Sequence, residues 1–365
     1  MSLSRTASAL CLTASFALAG PVLADSTRTL RLEYAPTGAF VVENLAGTMR
    51  VIAGSSDKVV TVATVHADDD ATANLMKLEQ VSGEGGVPTL RMVYPLDKYT
   101  TFRYPAEAGE EEEHWLSRLL GLGNSSSTRY AGYRVTVKSG SGVLLYADVE
   151  VQLPRRAVEG TFRNLVGGIH GQGVEGTLVF DGASGDVTLD DLKGTITADT
   201  GSGDVKAANL EGSFTCDTGS GDCDLHGFKG DKITCDVGSG DVNLASGSAR
   251  VIDADTGSGD VEVKDFDTEE FKADTGSGDV LLEVRGNRLA SVTADTGSGS
   301  VTLRLDPGVA FEAKAAQGSG DIVNRFSDAQ PILKDKEVIG YRRGDGKTRI
   351  NVETGSGDVV IEPRS

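Results

Sequence analysis

Through the C-terminal half of the chain, apolar and polar positions alternate in short runs that are interrupted by glycine. Ile196, Ala198 and Thr200 fall on one face before Gly201-Ser202-Gly203, and Val205 and Ala207 fall on one face after it. A two-residue period predicts strand, because successive side chains leave a strand on opposite faces. Glycine at the interruption predicts a tight turn and not a helix. A polar turn with a single apolar residue follows, such as Leu192, Leu210 or Phe228, and the pattern begins again.

The unit is a repeat. Ala198–Val205 reads ADTGSGDV, and related strings start at Cys216, Cys235, Ala254, Ala273 and Ala294. Degenerate copies start at Phe180, Ala315 and Val352. The aspartate after the second glycine falls at 186, 204, 222, 241, 260 and 279, so one period is 18 or 19 residues. Ser300 and Asp321 follow at steps of 21, and Asp358 comes 37 residues later. Two or three short strands in such a period make one coil of a solenoid whose coils stack about 4.8 Å apart. The predicted fold is all-β: a β-solenoid, parallel β-helix-like, of about nine coils of 18–21 residues, on the order of 40 Å long. An N-terminal β-rich capping region precedes it. Two reasons predict the glycines: a positive φ in the turn, and no room for side chains where turns superpose.

Three segments follow. Residues 1–24 read as a signal peptide, with Arg5, an apolar Ala9–Ala19, a Gly20-Pro21 break and Val22-Leu23-Ala24 before the cut. Export to the periplasm, cell surface or medium is expected, with no integral membrane segment after cleavage. Residues 25–156 form the β-rich region, and residues 157–365 form the solenoid. Strands are expected near 29–34, 40–42, 48–52, 58–65, 89–94, 133–137 and 146–153. A short helix is expected from Asp68-Asp69-Asp70 through Leu78, with acid at its positive end. An insertion at 95–130 holds the acidic run Glu110–Glu113 and an amphipathic helix, His114–Leu120, with the only tryptophan. Trp115, Leu116 and Leu119 either close a flap over a solenoid edge or form a patch that faces a protein partner or a membrane. A second insertion, 324–348, is expected to cap the last coils, since open ends pair with other chains.

Composition fits a narrow core. Glycine is 47 of 365 residues, aromatics are 5% and hydrophobic residues 39%, so Ala, Val, Leu and Cys must fill the interior. Cys216 and Cys235 take the Ala position of adjacent coils and Cys223 takes the Val position, which predicts small buried side chains. A Cys216–Cys235 bridge is the alternative, although in-register Cβ atoms nearly 5 Å apart are distant for a disulfide.

The net charge is -19, which argues against nucleic acid as a partner. It is concentrated in the repeat: residues 25–159 carry 14 basic and 18 acidic side chains, and residues 160–365 carry 20 and 36. Stacking would make two acidic columns. One is Asp181, Asp199, Asp217, Asp236, Asp255, Asp274 and Asp295, ending in Glu353. The other is Asp186, Asp204, Asp222, Asp241, Asp260, Asp279, Asp321 and Asp358. Hydrogen bonds from turn N–H groups and hydroxyls would offset the repulsion. Ca²⁺ between coils is the sharper alternative, with Asp204, Asp222, Asp241, Asp260 and Asp279 as ligands.

No P-loop, dinucleotide fingerprint, nucleophile elbow or HExxH string occurs. Parallel β-helices can host glycan-cleaving carboxylates, but that is analogy of fold alone. The run Asn44–Val51, the lead-in Val149–Pro154 and the Ser-Gly-Asp-Val copies resemble the bacterial adhesin family of the DUF4097 type. The resemblance implies an exported β-solenoid and brings no catalytic or cofactor-binding residues. The expected function is a non-enzymatic, adhesin-like contact with a cell-surface or envelope protein or glycan. The alternatives are an envelope scaffold or stress-sensing protein that binds a partner through the Trp115 helix, and a glycan-acting enzyme.

Overall fold

The computed structural model describes residues 26–105 and 125–364. Within them, the repeat is a parallel stack. Asp181, Asp199, Asp217, Asp236, Asp255, Asp274 and Asp295 are successive backbone partners, so the chain climbs one coil per period. The strands join in one open sheet. Alternation decides the faces as the sequence predicts: Ile196, Ala198, Val205 and Ala207 are buried, and so are Leu192, Leu210 and Phe228.

Pairing defines eleven coils among the described residues. In stack order they are 40–53, 158–172, 175–190, 193–208, 211–226, 230–245, 249–264, 268–284, 291–305, 348–363 and 311–324. This exceeds the nine counted from the repeat strings, because the first two coils lack the Ser-Gly-Asp signature. Residues 40–53 sit directly on 158–172, with an excursion of about 100 residues between them. The excursion returns strands 88–93 and 149–153 to the outer edge of that first coil.

The far end departs from chain order. The last coil in sequence, 348–363, is inserted between 291–305 and 311–324. A hairpin, Gln330–Lys334 with Glu337–Arg342, then lies antiparallel against Glu312–Lys314 of the terminal coil. The expected helix after Asp68 is only one turn, Asp70–Ala73, capped by Asp69 accepting from the Thr72 N–H at 2.6 Å. Leu78 belongs instead to strand Lys77–Ser82, since pairing with Pro88–Val93 overrides the local start signal.

Of the two reasons for the repeat glycines, the second holds for the second glycine of every copy, and the first holds only in the copy that starts at Phe180, where Gly185 has φ of 132°. Gly203, Gly221, Gly259 and Gly278 do not have positive φ. A Cβ on any of them would stand 1.9–2.1 Å from the carbonyl oxygen of the glycine one coil below. The left-handed conformation recurs at the other corner, where Asp191, Asn209, Ser246 and Asp265 have φ of 55–57° and Gly173 and Gly227 occupy the same position in their coils. Asn and Asp tolerate that region better than other side chains.

Beside the glycine turn runs an internal column of hydroxyls. Thr218, Thr256, Thr275, Thr296 and Thr354 are buried. Each Oγ1 donates to a glycine carbonyl of the coil below, at 2.8–3.0 Å. Each accepts the N–H of the second glycine in its own turn, at 2.9–3.2 Å. Val237 interrupts the column. In the first two coils, Asn44 and Asn164 replace threonine. The Asn44 Nδ2 donates to Asn164 Oδ1 at 2.9 Å, and the Asn164 Nδ2 donates to the Gly47 carbonyl at 2.7 Å.

The hydroxyl column makes a paired prediction. Thr256→Val leaves the Gly240 carbonyl and the Gly259 N–H without their partner and should cost about 1–3 kcal/mol. Val237→Thr should gain about 1 kcal/mol by completing the column. Urea midpoints moving in opposite directions are the expected outcome.

Candidate functional site

The candidate site is the pair of acidic columns at the Gly-Ser-Gly corner. They lie five residues apart in each repeat, on either side of the turn, and their environments differ.

The column that follows the turn is internally bonded. Asp186 Oδ1 accepts the Asp204 N–H, Asp204 accepts from Asp222, Asp222 from Asp241, Asp241 from Asp260 and Asp260 from Asp279, at 2.7–3.2 Å. Asp279 accepts the Ser300 N–H, the Ser300 hydroxyl accepts from Asp358, and Asp358 accepts from Asp321. Each carboxylate thus holds the amide of the next rung. The Lys206 ammonium at 2.9 Å, helped by the Asp222 N–H, holds the Asp204 carboxyl below the usual range.

This arrangement bears on calcium. Ca²⁺ takes about six to eight oxygens. With Oδ1 engaged by an amide, each coil offers Oδ2 and little else. Among the described residues no three His, Cys, Asp or Glu side chains are grouped to hold a metal ion. Asp204, Asp222, Asp241, Asp260 and Asp279 act in this geometry as hydrogen-bond acceptors for the stack.

The column that precedes the turn has no such ladder. Asp199, Asp217, Asp236, Asp255, Asp274, Asp295 and Glu353 are exposed and directly superposed. Among the described residues a carboxylate of this column forms an ion pair only at its lower end, where Arg163 Nε meets Asp181 at 2.7 Å. Carboxylates about 4.8 Å apart repel by roughly 1 kcal/mol per pair in water. Partial burial, then Asp181 and Asp217, raise the Asp199 carboxyl, and partial burial, then Asp274 and Asp236, raise that of Asp255.

Other chemistry-bearing groups are dispersed. His66 Nε2 lies 3.0 Å from Asp148, whose other oxygen accepts the Thr48 N–H, and the His66 ring stacks on Tyr146 at 4.6 Å. No local pattern in the chain signals this cluster, because the register of two distant strands creates it. His226 is exposed, as alternation predicts. Cys216, Cys223 and Cys235 are buried free thiols. Trp115, Leu116 and Leu119 lie outside the described residues.

Two outcomes test the columns. Asp199 and Asp255 have raised carboxyls in the folded state, so their contribution to stability is full below the unfolded value and is lost as pH rises through the folded one. Asp255→Asn should therefore stabilise the protein by about 0.5 kcal/mol at pH 7 and make no difference near pH 3. A variant advantage that persists at low pH would assign the effect elsewhere. A chelator should leave the thermal midpoint unchanged, and a fall would place a cation in the stack.

Comparison with known proteins follows the fold. The chain is similar to a solved structure provisionally named a cell adhesion protein from Clostridium sporogenes, with 11% identity, 93% of this chain and 100% of that chain covered, and a TM-score of 0.21. A provisionally named lipid-binding protein from Parabacteroides distasonis shows 11% identity over 91% of this chain and 96% of that chain, with a TM-score of 0.41. A provisionally named adhesin from Bacteroides fragilis shows 10% identity over 92% and 97%, with a TM-score of 0.36. No curated protein matches. The sequence profile of the family described as Toastrack DUF4097 matches residues 177–362, which are just over half of the chain and nearly all of the regular coils. With that match and the parallel stack together, the chain belongs to the Toastrack DUF4097 family.

Proposed function

We propose that the protein is an exported, non-enzymatic, adhesin-like interaction protein of the bacterial envelope or surface. Its working face is the exposed acidic column from Asp199 to Glu353. The observation that carries this reading is the contrast between the two columns. Where aspartate serves the fold, its oxygen is engaged by the next amide. Where it does not, seven superposed carboxylates face solvent despite their mutual repulsion. Stability does not account for a row that opposes it.

A rigid rod holding identical groups at one spacing adds weak contacts into useful affinity, because after the first contact the others are intramolecular. The partner chemistry that fits is a repeating cationic or hydrogen-bond-donating surface, such as a basic envelope protein or an amino-sugar glycan. Among the described residues no helix is long and apolar enough to cross a membrane.

The test replaces Asp217, Asp236, Asp255 and Asp274 with asparagine. Retention of the purified variant on whole cells should fall at least tenfold while its thermal midpoint is maintained or raised, with loss growing faster than the number of carboxylates removed. Unchanged retention would move the binding face elsewhere. Release of oligosaccharide from envelope glycan by the purified protein would replace the non-enzymatic reading altogether.

A further inference from the structure

Two columns of small residues run through the core of the solenoid beside its buried Phe, Ile and Leu side chains, and sulfur enters these columns at two adjacent levels only. The column before the turn reads Ala198, Cys216, Cys235, Ala254, Ala273 and Ala294. The column after it reads Val205, Cys223, Val242, Val261, Val280 and Val301. All three cysteines therefore fall in coils 211–226 and 230–245 and face one another across the interior. Cys216 and Cys235 are superposed partners in the same wall. Superposition keeps their Cβ vectors parallel at about the strand spacing, too far for a strain-free bridge. The close approach is across the core and between coils: Cys223 Sγ lies 3.5 Å from Cys235 Sγ. Cys223 also contacts Cys216.

We propose that Cys223 and Cys235 form a disulfide that ties coil 211–226 to coil 230–245, with Cys216 left as a free thiol. The reaction needs a thiol oxidant of the disulfide class, such as glutathione disulfide or an oxidised dithiol protein. The thiolate of one cysteine attacks the oxidant and releases one thiol. The second cysteine then displaces the other thiol as the Cys223–Cys235 bond forms. Two protons and two electrons leave the protein, and one disulfide of the oxidant becomes two thiols.

Burial sets the timing. Cys223 is 0% exposed and Cys235 1%. Burial also pushes the Cys223 thiol well up, away from the reactive thiolate. Exchange belongs to the period before the two coils close, and the folded, reduced protein should resist thiol reagents until denaturant is added. The proposal does not rest on what the acidic column binds. It shares with the proposed function only the oxidising conditions that export would provide, and these are supplied in the test.

The experiment uses the full chain with Cys11→Ser, unfolded and reduced, then refolded with or without glutathione disulfide. Remaining thiols are alkylated and the digest is read by mass spectrometry. A Cys223–Cys235 linked peptide with alkylated Cys216 is the expected result, together with a thermal midpoint about 5 °C above that of the reduced protein. Cys216→Ala should keep both the link and the rise. Cys223→Val and Cys235→Ala, which restore the usual residue of each column, should fold and lose the rise. A Cys216–Cys235 link, three alkylated thiols after oxidative refolding, or loss of the link in Cys216→Ala would each overturn the proposal.

Discussion

The solenoid depends on one contact, the direct seating of each Gly-Ser-Gly-Asp turn on the turn below. Backbone there approaches so closely that a single Cβ would meet a carbonyl oxygen at about 2 Å. The closeness places three hydrogen-bonding groups in line. The Asp carboxylate reaches the next rung's amide, the Thr hydroxyl reaches the glycine carbonyl below, and the same hydroxyl receives its own turn's amide. A turn that would otherwise bury unsatisfied backbone groups is thereby satisfied on both sides. The cost of a buried orphan far exceeds the small net gain of an exposed bond, so this corner constrains the sequence more tightly than the walls do.

That constraint explains why two aspartates in one repeat have such different surroundings. The second, after the glycines, sits where its carboxylate can bend over the turn and accept an amide. The first ends a strand on the outer face, where among the described residues no turn amide is bonded to it. Charge repulsion is offset in one column by charge-assisted hydrogen bonds and is left standing in the other. Neither column gathers a base, a nucleophile and an acid at one point, because a one-dimensional repeat places like groups beside like.

The ends of the rod obey different rules from its middle. At one end, Asn44 and Asn164 carry the corner with amide side chains, which donate and accept at once and tolerate the irregular neighbours Tyr94 and Ala147. At the other end the chain overshoots one level, builds the terminal coil and its hairpin, and returns to fill the level left open. Strands 88–93 and 149–153 at the first end and the hairpin strand at 340–342 at the other each pair with part of an edge that would otherwise present unpaired amides and carbonyls to other chains.

The sequence by itself determined the all-β class, the 18–19-residue rise, the inward and outward faces and the existence of two acidic columns. These are local or periodic properties. A two-residue alternation fixes facing within a strand, and an exact spacing fixes superposition between coils. The tertiary structure decided what depends on contact between distant segments. It showed that 40–53 is already a coil, because pairing with 158–172 leaves no short-range trace. It showed that in all the copies but the first the turn glycines answer to a neighbour's carbonyl and not to their own φ, which only the stacked backbone reveals. It separated the bonded carboxylates from the free ones, and it turned Cys235 across the core toward Cys223. Periodicity gives the level of a residue in the stack, and side-chain direction across a narrow interior decides what it meets there.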